Sequence, residues 1–215
     1  MPAIASCRLC LVEVRRPGRD WVQLTTSCDY PVSAGLAVVT DSPLIRKHRA
    51  MNLQLLLCRA PDAPVLMQLA AKLGVTEPLF APVTDAPLPG CILCELCIRV
   101  CSALGYDALS AIGRGHNKSV GPPFGQTEAA DCVGCGSCIE ACPTECIAME
   151  DTATTRTIWG RTFELLTCER CGRPITTKAH AEAMAAGTDL QVKSTDLCDV
   201  CKARVTSEHI ASPGR

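Results

Sequence analysis

Seventeen of the 215 residues are cysteine, and eight of them fall in two runs whose spacing suits metal chemistry. The first is Cys91-Ile92-Leu93-Cys94-Glu95-Leu96-Cys97-Ile98-Arg99-Val100-Cys101. The second is Cys132-Val133-Gly134-Cys135-Gly136-Ser137-Cys138-Ile139-Glu140-Ala141-Cys142, followed by Pro143. Each reads C-x2-C-x2-C-x3-C. Two intervening residues let one tight loop return three sulfurs to the same small object, and the fourth, where a short helix is expected to begin, points away towards the neighbouring loop. Thiolates are soft ligands that select iron–sulfur clusters or zinc over hard cations. One zinc ion needs only four ligands, so a doubled, internally repeated octet points to two cubane clusters.

This is the spacing of two-cluster ferredoxins, in which the fourth cysteine of each run serves the other cluster. It predicts a crossed arrangement: Cys91, Cys94, Cys97 and Cys142 around one [4Fe-4S] cluster, and Cys132, Cys135, Cys138 and Cys101 around the second. Cys146 lies beyond both sets and reads as a small buried side chain beside a cluster. A separate signature follows in Cys168-Glu169-Arg170-Cys171 and Cys198-Asp199-Val200-Cys201. These two C-x2-C knuckles, separated by a helix-prone interval around Ala179–Ala186, suit tetrahedral zinc as a structural clip. A third [4Fe-4S] cluster uses the same ligand count, and spacing leaves that alternative open.

The remaining cysteines are ambiguous. Cys7, Cys10 and Cys28 are one short of a [2Fe-2S] site, and Cys58 in Leu55-Leu56-Leu57-Cys58 is the nearby uncommitted candidate. Three readings stay open: a cluster-free remnant, a cluster completed by Cys58 or another ligand, and a chain that starts upstream of Met1.

The elements that must position these residues are short. Leu11–Val14, Trp21–Leu24 and Gly35–Thr40 read as strands of a small, mostly antiparallel sheet, with Pro17-Gly18-Arg19-Asp20 as a turn. Ser42-Pro43 caps a helix over 43–59, ended by Pro61 and Pro64. A second helix spans Val65–Leu73 and stops at Gly74. The stretch Pro78–Gly90, with four prolines, is a linker. Between the runs, Gly113-Arg114-Gly115-His116 and Gly121-Pro122-Pro123-Phe124-Gly125 lack the order of a phosphate-binding loop. They read as backbone threaded near the clusters, with His116 a solvated or packed loop residue. Arg161–Leu166 reads as a strand leading into the last clip.

A net charge of −1, with two tryptophans and two tyrosines, excludes the basic, aromatic-lined surface of a nucleic-acid binder. No apolar run is long enough to span a membrane. The first residues lack the charged-then-apolar pattern of an export signal, so the expected location is cytoplasmic, or the cytoplasmic membrane face through partners. Only 3% of the residues are aromatic, so metal binding is expected to supply folding energy.

Residues 7–150 resemble the small iron–sulfur subunit of the diaphorase part of soluble NAD-reducing nickel-iron hydrogenases, and the N-terminal iron–sulfur region of the large electron-transfer subunit of respiratory complex I. The resemblance rests on Cys7-Arg8-Leu9-Cys10-Leu11-Val12-Glu13-Val14, Thr40-Asp41-Ser42, Leu53–Leu57, the first cysteine run and Ile112-Gly113-Arg114-Gly115. Together with the cysteine spacing it leads to the expectation of an α+β chain: a degenerate [2Fe-2S]-ferredoxin-like remnant, a bacterial-type two-[4Fe-4S] ferredoxin module and, beyond the resemblance, a C-terminal four-cysteine metal clip. The expected divisions are 1–42, a truncated ferredoxin-like region; 43–90, helical segment and linker; 91–150, the dicluster domain; and 151–215, the zinc-ribbon-like or third-cluster region. It also implies an electron-transfer subunit without substrate chemistry of its own. Its partners would be a flavin-containing NAD(H) subunit and a hydrogenase, formate dehydrogenase or related metal-containing subunit. A further cluster held in that family by a histidine and three cysteines is expected to be missing, since residues 58–78 offer Cys58 alone. A freestanding dicluster ferredoxin and a zinc-stabilised interaction scaffold are the alternatives.

Overall fold

The computed structural model describes residues 4–186 and 197–211. Parts of the expected 1–42 and 151–215 divisions, namely residues 1–3, 187–196 and 212–215, lie outside them.

The first sheet has the order β2-β1-β3, all antiparallel, from β1 (Leu11–Arg15), β2 (Gln23–Thr26) and β3 (Ala37–Val39). Leu11, Val12 and Val14 of the central strand are buried. The second strand begins two residues later than expected, because Trp21 and Val22 stay exposed and Val14 pairs with Gln23. The third is shorter than expected and exposed along its length.

Helix α1 (Pro43–Arg59) starts as its sequence dictates: Ser42 is in extended backbone, its hydroxyl accepts from the Ile45 amide at 3.2 Å, and Pro43 occupies the first turn. The expectation that Pro64 ends this helix is corrected. The helix stops at Arg59, and Pro64 instead opens α2 (Pro64–Leu73), where a missing N–H costs nothing. Gly74 then closes α2 in the left-handed conformation. Leu53, Ala60, Ala63 and Leu66 join these helices to Ile92 of the first cysteine run in one apolar core.

Polar side chains make α1 a strut between the first sheet and the cysteine loops. Arg49 donates to the Leu11 carbonyl at 2.6 Å and Arg59 to the Cys91 carbonyl at 2.8 Å. Buried Gln54 donates to the Glu77 carbonyl at 2.8 Å and accepts from the Leu79 amide at 3.0 Å. The start of the helix-free 78–90 stretch is thereby tied down.

Each cysteine run ends in a short helix, α3 (Leu96–Ala103) and α4 (Ser137–Glu140), and the two helices pack together. The expectation that a helix begins at the fourth cysteine is corrected: α3 starts before the third, and Cys101 lies in its last turn. Between the runs, β4 (Ser110–Ile112) pairs with β5 (Ser119–Gly121). A four-stranded antiparallel sheet follows in the order β6-β7-β8-β9: β6 (Met149–Asp151), β7 (Thr155–Ile158), β8 (Arg161–Thr167) and β9 (Pro174–Thr177). Helices α5 (Lys178–Ala186) and α6 (Asp199–Ala211) complete the described chain. Phe163 and Ile158 of this sheet share a core with Cys91, Cys97, Leu109, Val120, Cys138 and Ile147.

Leu53 is fully buried between α1, α2 and the first cysteine run. Leu53→Ala is expected to lower the unfolding free energy by ~2–5 kcal/mol, read by urea titration of the metal-loaded chain.

Candidate metal centres

The two cysteine loops are built alike. In each, the residue before the second cysteine and the residue after it have left-handed backbone: Leu93 and Glu95 at φ 55° and 59°, Gly134 and Gly136 at φ 68° and 82°. This double reversal turns main-chain amides towards sulfur. The Leu93 amide donates to Cys91 Sγ at 3.4 Å and the Gly134 amide to Cys132 Sγ at 3.3 Å. L-residues avoid this region at a cost of roughly 1–2 kcal/mol each, so the first run carries strain at Leu93 and Glu95 that glycine spares the second.

The loops line two small chambers of similar size. One is lined by Cys101, Cys132, Cys135 and Cys138, the other by Cys91, Cys94, Cys97 and Cys142. Each thus receives three cysteines from one run and the last cysteine of the other. Tyr106, Ala108 and Leu109 line the first chamber and Val120 the second, which is where the inter-run segment meets the sites. His116 stands apart on the surface, 2.9 Å from Asp85.

Burial pushes the Cys97 thiol up to about 12 and the Cys138 thiol up to about 11. Such thiols stay protonated in the empty chain, and a bound metal would displace their protons into solvent, so loading releases protons. Cys146 also lines the second chamber, half-buried, with its Sγ 3.6 Å from Cys142 Sγ. A chamber with sulfur on all sides and amides aimed at that sulfur fits a thiolate-bound cluster.

The last four cysteines form a different kind of site. Cys168, Cys171, Cys198 and Cys201 place their sulfurs within 4.8 Å of one another, and three of the four are buried. Cys171 and Cys198 are 3.7 Å apart. Backbone hydrogen bonding from Cys198 draws the Cys168 thiol down to about 6, with Cys171 and Arg170 adding to it. This is a four-cysteine metal-binding site, in whose first knuckle the Cys168 amide donates a hydrogen bond to the Arg173 carbonyl and the Gly172 amide one to the Cys168 carbonyl, each 2.8 Å.

The N-terminal cysteines are not assembled in this way. Cys58 bonds the Gln54 carbonyl of its own helix at 3.2 Å. Among the described residues, no three of Cys7, Cys10, Cys28 and Cys58 come within 4.8 Å of one another. The loop carrying Cys7 instead rests on the first ligand loop, where Ser6 donates to the Leu93 carbonyl at 2.9 Å.

Three residues beside the chambers are not signalled by any motif. Trp159 donates its indole N–H to Cys138 Sγ at 3.4 Å, Arg156 donates to the Gly134 carbonyl at 3.1 Å, and Arg161 to the Cys132 carbonyl at 2.8 Å. The one signal the sequence offers is Trp159-Gly160 between two alternating runs, which marks a two-residue hairpin.

Gly134 is also hemmed in: a Cβ there would lie 2.7 Å from Phe163 and 2.9 Å from Thr177. Gly134→Leu is expected to remove about four irons per chain, measured by iron and acid-labile sulfide analysis. Leu93→Gly, at the matching position of the first loop, is expected to keep the full iron complement.

Comparison with known proteins agrees with this geometry. Residues 88–149 match the model of the 4Fe-4S dicluster domain. The G 2 subunit of NADH-quinone oxidoreductase from Rhizobium meliloti is 30% identical over 66% of this chain and 19% of its own length. The HndD subunit of NADP-reducing hydrogenase from Solidesulfovibrio fructosivorans is 30% identical over 65% of this chain and 27% of its own. The chain therefore spans only a fifth to a quarter of these relatives. A crystal structure of NAD+-reducing [NiFe]-hydrogenase in the H2-reduced state aligns with a TM-score of 0.55 and 27% identity, covering 67% of this chain and 69% of that one. Residues 88–149 are thus a 4Fe-4S dicluster domain, in a chain homologous over about two thirds of its length to subunits of NADH-quinone oxidoreductase and of NAD(P)-reducing hydrogenases.

Proposed function

We propose that this chain is a one-electron relay subunit of a multisubunit oxidoreductase. It would carry electrons between a flavin-containing NAD(H) subunit and a metal-containing catalytic subunit such as a hydrogenase or formate dehydrogenase. The observation that supports this most directly is the sorting of eight cysteines into two chambers, each completed by the last cysteine of the opposite run. In this reading Cys91, Cys94, Cys97 and Cys142 hold one [4Fe-4S] cluster and Cys132, Cys135, Cys138 and Cys101 the other. Bound clusters supply reversible one-electron storage. The protein's part is to hold both at fixed separation, exclude water and set their potentials through N–H···S donors and nearby charge. The kinship with NADH-quinone oxidoreductase and hydrogenase subunits favours this role over a freestanding ferredoxin.

The last four cysteines serve, on this reading, as a structural zinc clip. With Zn–S bonds of about 2.3 Å, tetrahedral thiolates stand roughly 3.8 Å apart, and the 3.7 Å between Cys171 and Cys198 suits that spacing. A third cubane would need its thiolates spread further, since each binds a different iron. We assign residues 1–42 to a cluster-free remnant of a [2Fe-2S] module, 43–90 to the helical spacer, 91–150 to the relay and 151–215 to the clip region. Among the described residues no helix is long and apolar enough to cross a membrane, which accords with a cytoplasmic relay attached through partners.

Anaerobic purification of the native complex tests these assignments together. The expected result is about eight iron, eight sulfide and one zinc per chain, with a flavin subunit co-purifying. Ten irons would restore the N-terminal cluster, twelve would make the clip a cluster site, and zinc without sulfide would overturn the relay. Cys171→Ser, at the exposed ligand of the clip, is expected to release the zinc and leave iron and visible absorption unchanged.

A further inference from the structure

We propose that side chains outside the cysteine loops set the order in which the two sites accept electrons, making the cluster at Cys101, Cys132, Cys135 and Cys138 the more easily reduced. The inference rests on the two-cluster reading above. The step concerned moves one electron from the reduced cluster at Cys91, Cys94, Cys97 and Cys142 to the oxidised cluster at the other set. The first is oxidised by one electron, the second reduced by one, and no bond or proton changes place.

Much of the surroundings is repeated at both sites and cancels. Each set has a loop amide on its first sulfur, at 3.4 Å for Cys91 and 3.3 Å for Cys132. Each has an arginine on the carbonyl of that same cysteine, Arg59 on Cys91 and Arg161 on Cys132, both at 2.8 Å. Two features break the match.

The first is Trp159. It shares with Gly160 a two-residue turn in which both residues are left-handed, at φ 50° and 77°, the conformation of a type I′ hairpin. The Ala129 amide holds the Trp159 carbonyl at 3.1 Å, and a Cβ on Gly160 would lie 2.3 Å from the Thr127 carbonyl oxygen, so the turn sits flush on that loop. The strained backbone at Trp159 is thereby maintained, and it aims the indole N–H at Cys138 Sγ, 3.4 Å away. Among the described residues the side-chain partners at the other set are the Thr144 hydroxyl, 3.7 Å from Cys142 Sγ, and the Cys146 thiol, which is 3.6 Å from Cys142 Sγ and also serves Cys91. A thiol is a weak donor.

The second feature is a pair of ion pairs that point in opposite directions. Glu95 lines the Cys91 chamber and is held by Lys118 at 2.6 Å, with the carboxylate side chain 22% exposed and the lysine 36%. Arg156 stands over the other loop, its Nη1 3.3 Å from where a Gly136 Cβ would sit, and pairs with Asp151 at 2.8 Å. Here the cation is the inner member, 14% exposed against 33% for the carboxylate. Reduction adds negative charge to a cluster and its thiolates. An N–H donor and an inner cation stabilise that state, and an inner carboxylate opposes it.

The test is an EPR-monitored redox titration of the full, cluster-loaded chain. Trp159→Phe keeps the ring and removes the donor. It is expected to shift electron occupancy about tenfold away from its cluster, ~59 mV for a one-electron couple, by lowering the higher of two midpoints and leaving the other in place. Glu95→Gln is expected to raise the lower midpoint by a similar amount. The proposal fails if Trp159→Phe moves the lower midpoint or neither, or if Glu95→Gln moves the higher. Should Trp159→Phe lose iron, Glu95→Gln alone still decides, because its effect must fall on the lower midpoint. A wild-type chain without two one-electron midpoints would sink the two-cluster reading itself.

Discussion

The structure depends on thiols removed from water. Cys91, Cys97 and Cys138 are buried as deeply as the leucine and isoleucine around them and form much of the central core. A buried thiol is a weak hydrogen-bonding group, and eight of them around two chambers leave a core with unused donor and acceptor capacity. Metal binding converts these sulfurs into strongly held ligands, and that binding energy becomes folding energy. Leu109, Val120, Ile147, Ile158 and Phe163 complete this core, in a chain with only 3% aromatic residues. The second core, where α1 and α2 meet Ile92, is conventional and aliphatic. Its role is to hold the first cysteine loop against a rigid strut, through Arg59 on the Cys91 carbonyl as well as through packing.

Two coordination styles coexist in one chain. The cysteines of the central chambers are spread around an enclosed space, and among the described residues none of their sets of three falls within 4.8 Å. Those of the clip are drawn together around a single point. Residue type is the same in both, so the spacing of the sulfurs is what distinguishes the two arrangements. Cys168 of the clip directly follows β8, the strand whose hairpin with β7 reaches back to the chambers.

Much of this is legible in the sequence because the information is local. Cysteine spacing determines the two loops and the paired knuckles, Ser42-Pro43 the start of α1, Gly74 the end of α2, and the distinctive text around Cys7–Val14 and Ile112–Gly115 the kinship. Boundaries are less secure. Pro64 reads equally well as the end of one helix and the beginning of the next, since a missing amide is tolerated in a first turn. The strand at Gln23 reads two residues too early, because Trp21 and Val22 look strand-like yet remain exposed.

The grouping of the cysteines can be read from spacing alone, since two residues between thiols is a constraint on chain geometry over a few bonds. What surrounds each site depends on long-range packing. Gly134 is confined by Phe163 and Thr177, Trp159 reaches a sulfur twenty-one residues earlier, and the inner member of an ion pair is Arg156 at one site but Glu95 at the other. These are contacts between segments far apart in the chain: β7, β8, β9 and their turn fold over the second loop, and the segment carrying Lys118 folds against the first. The ligands come from the motif; their inequality comes from packing.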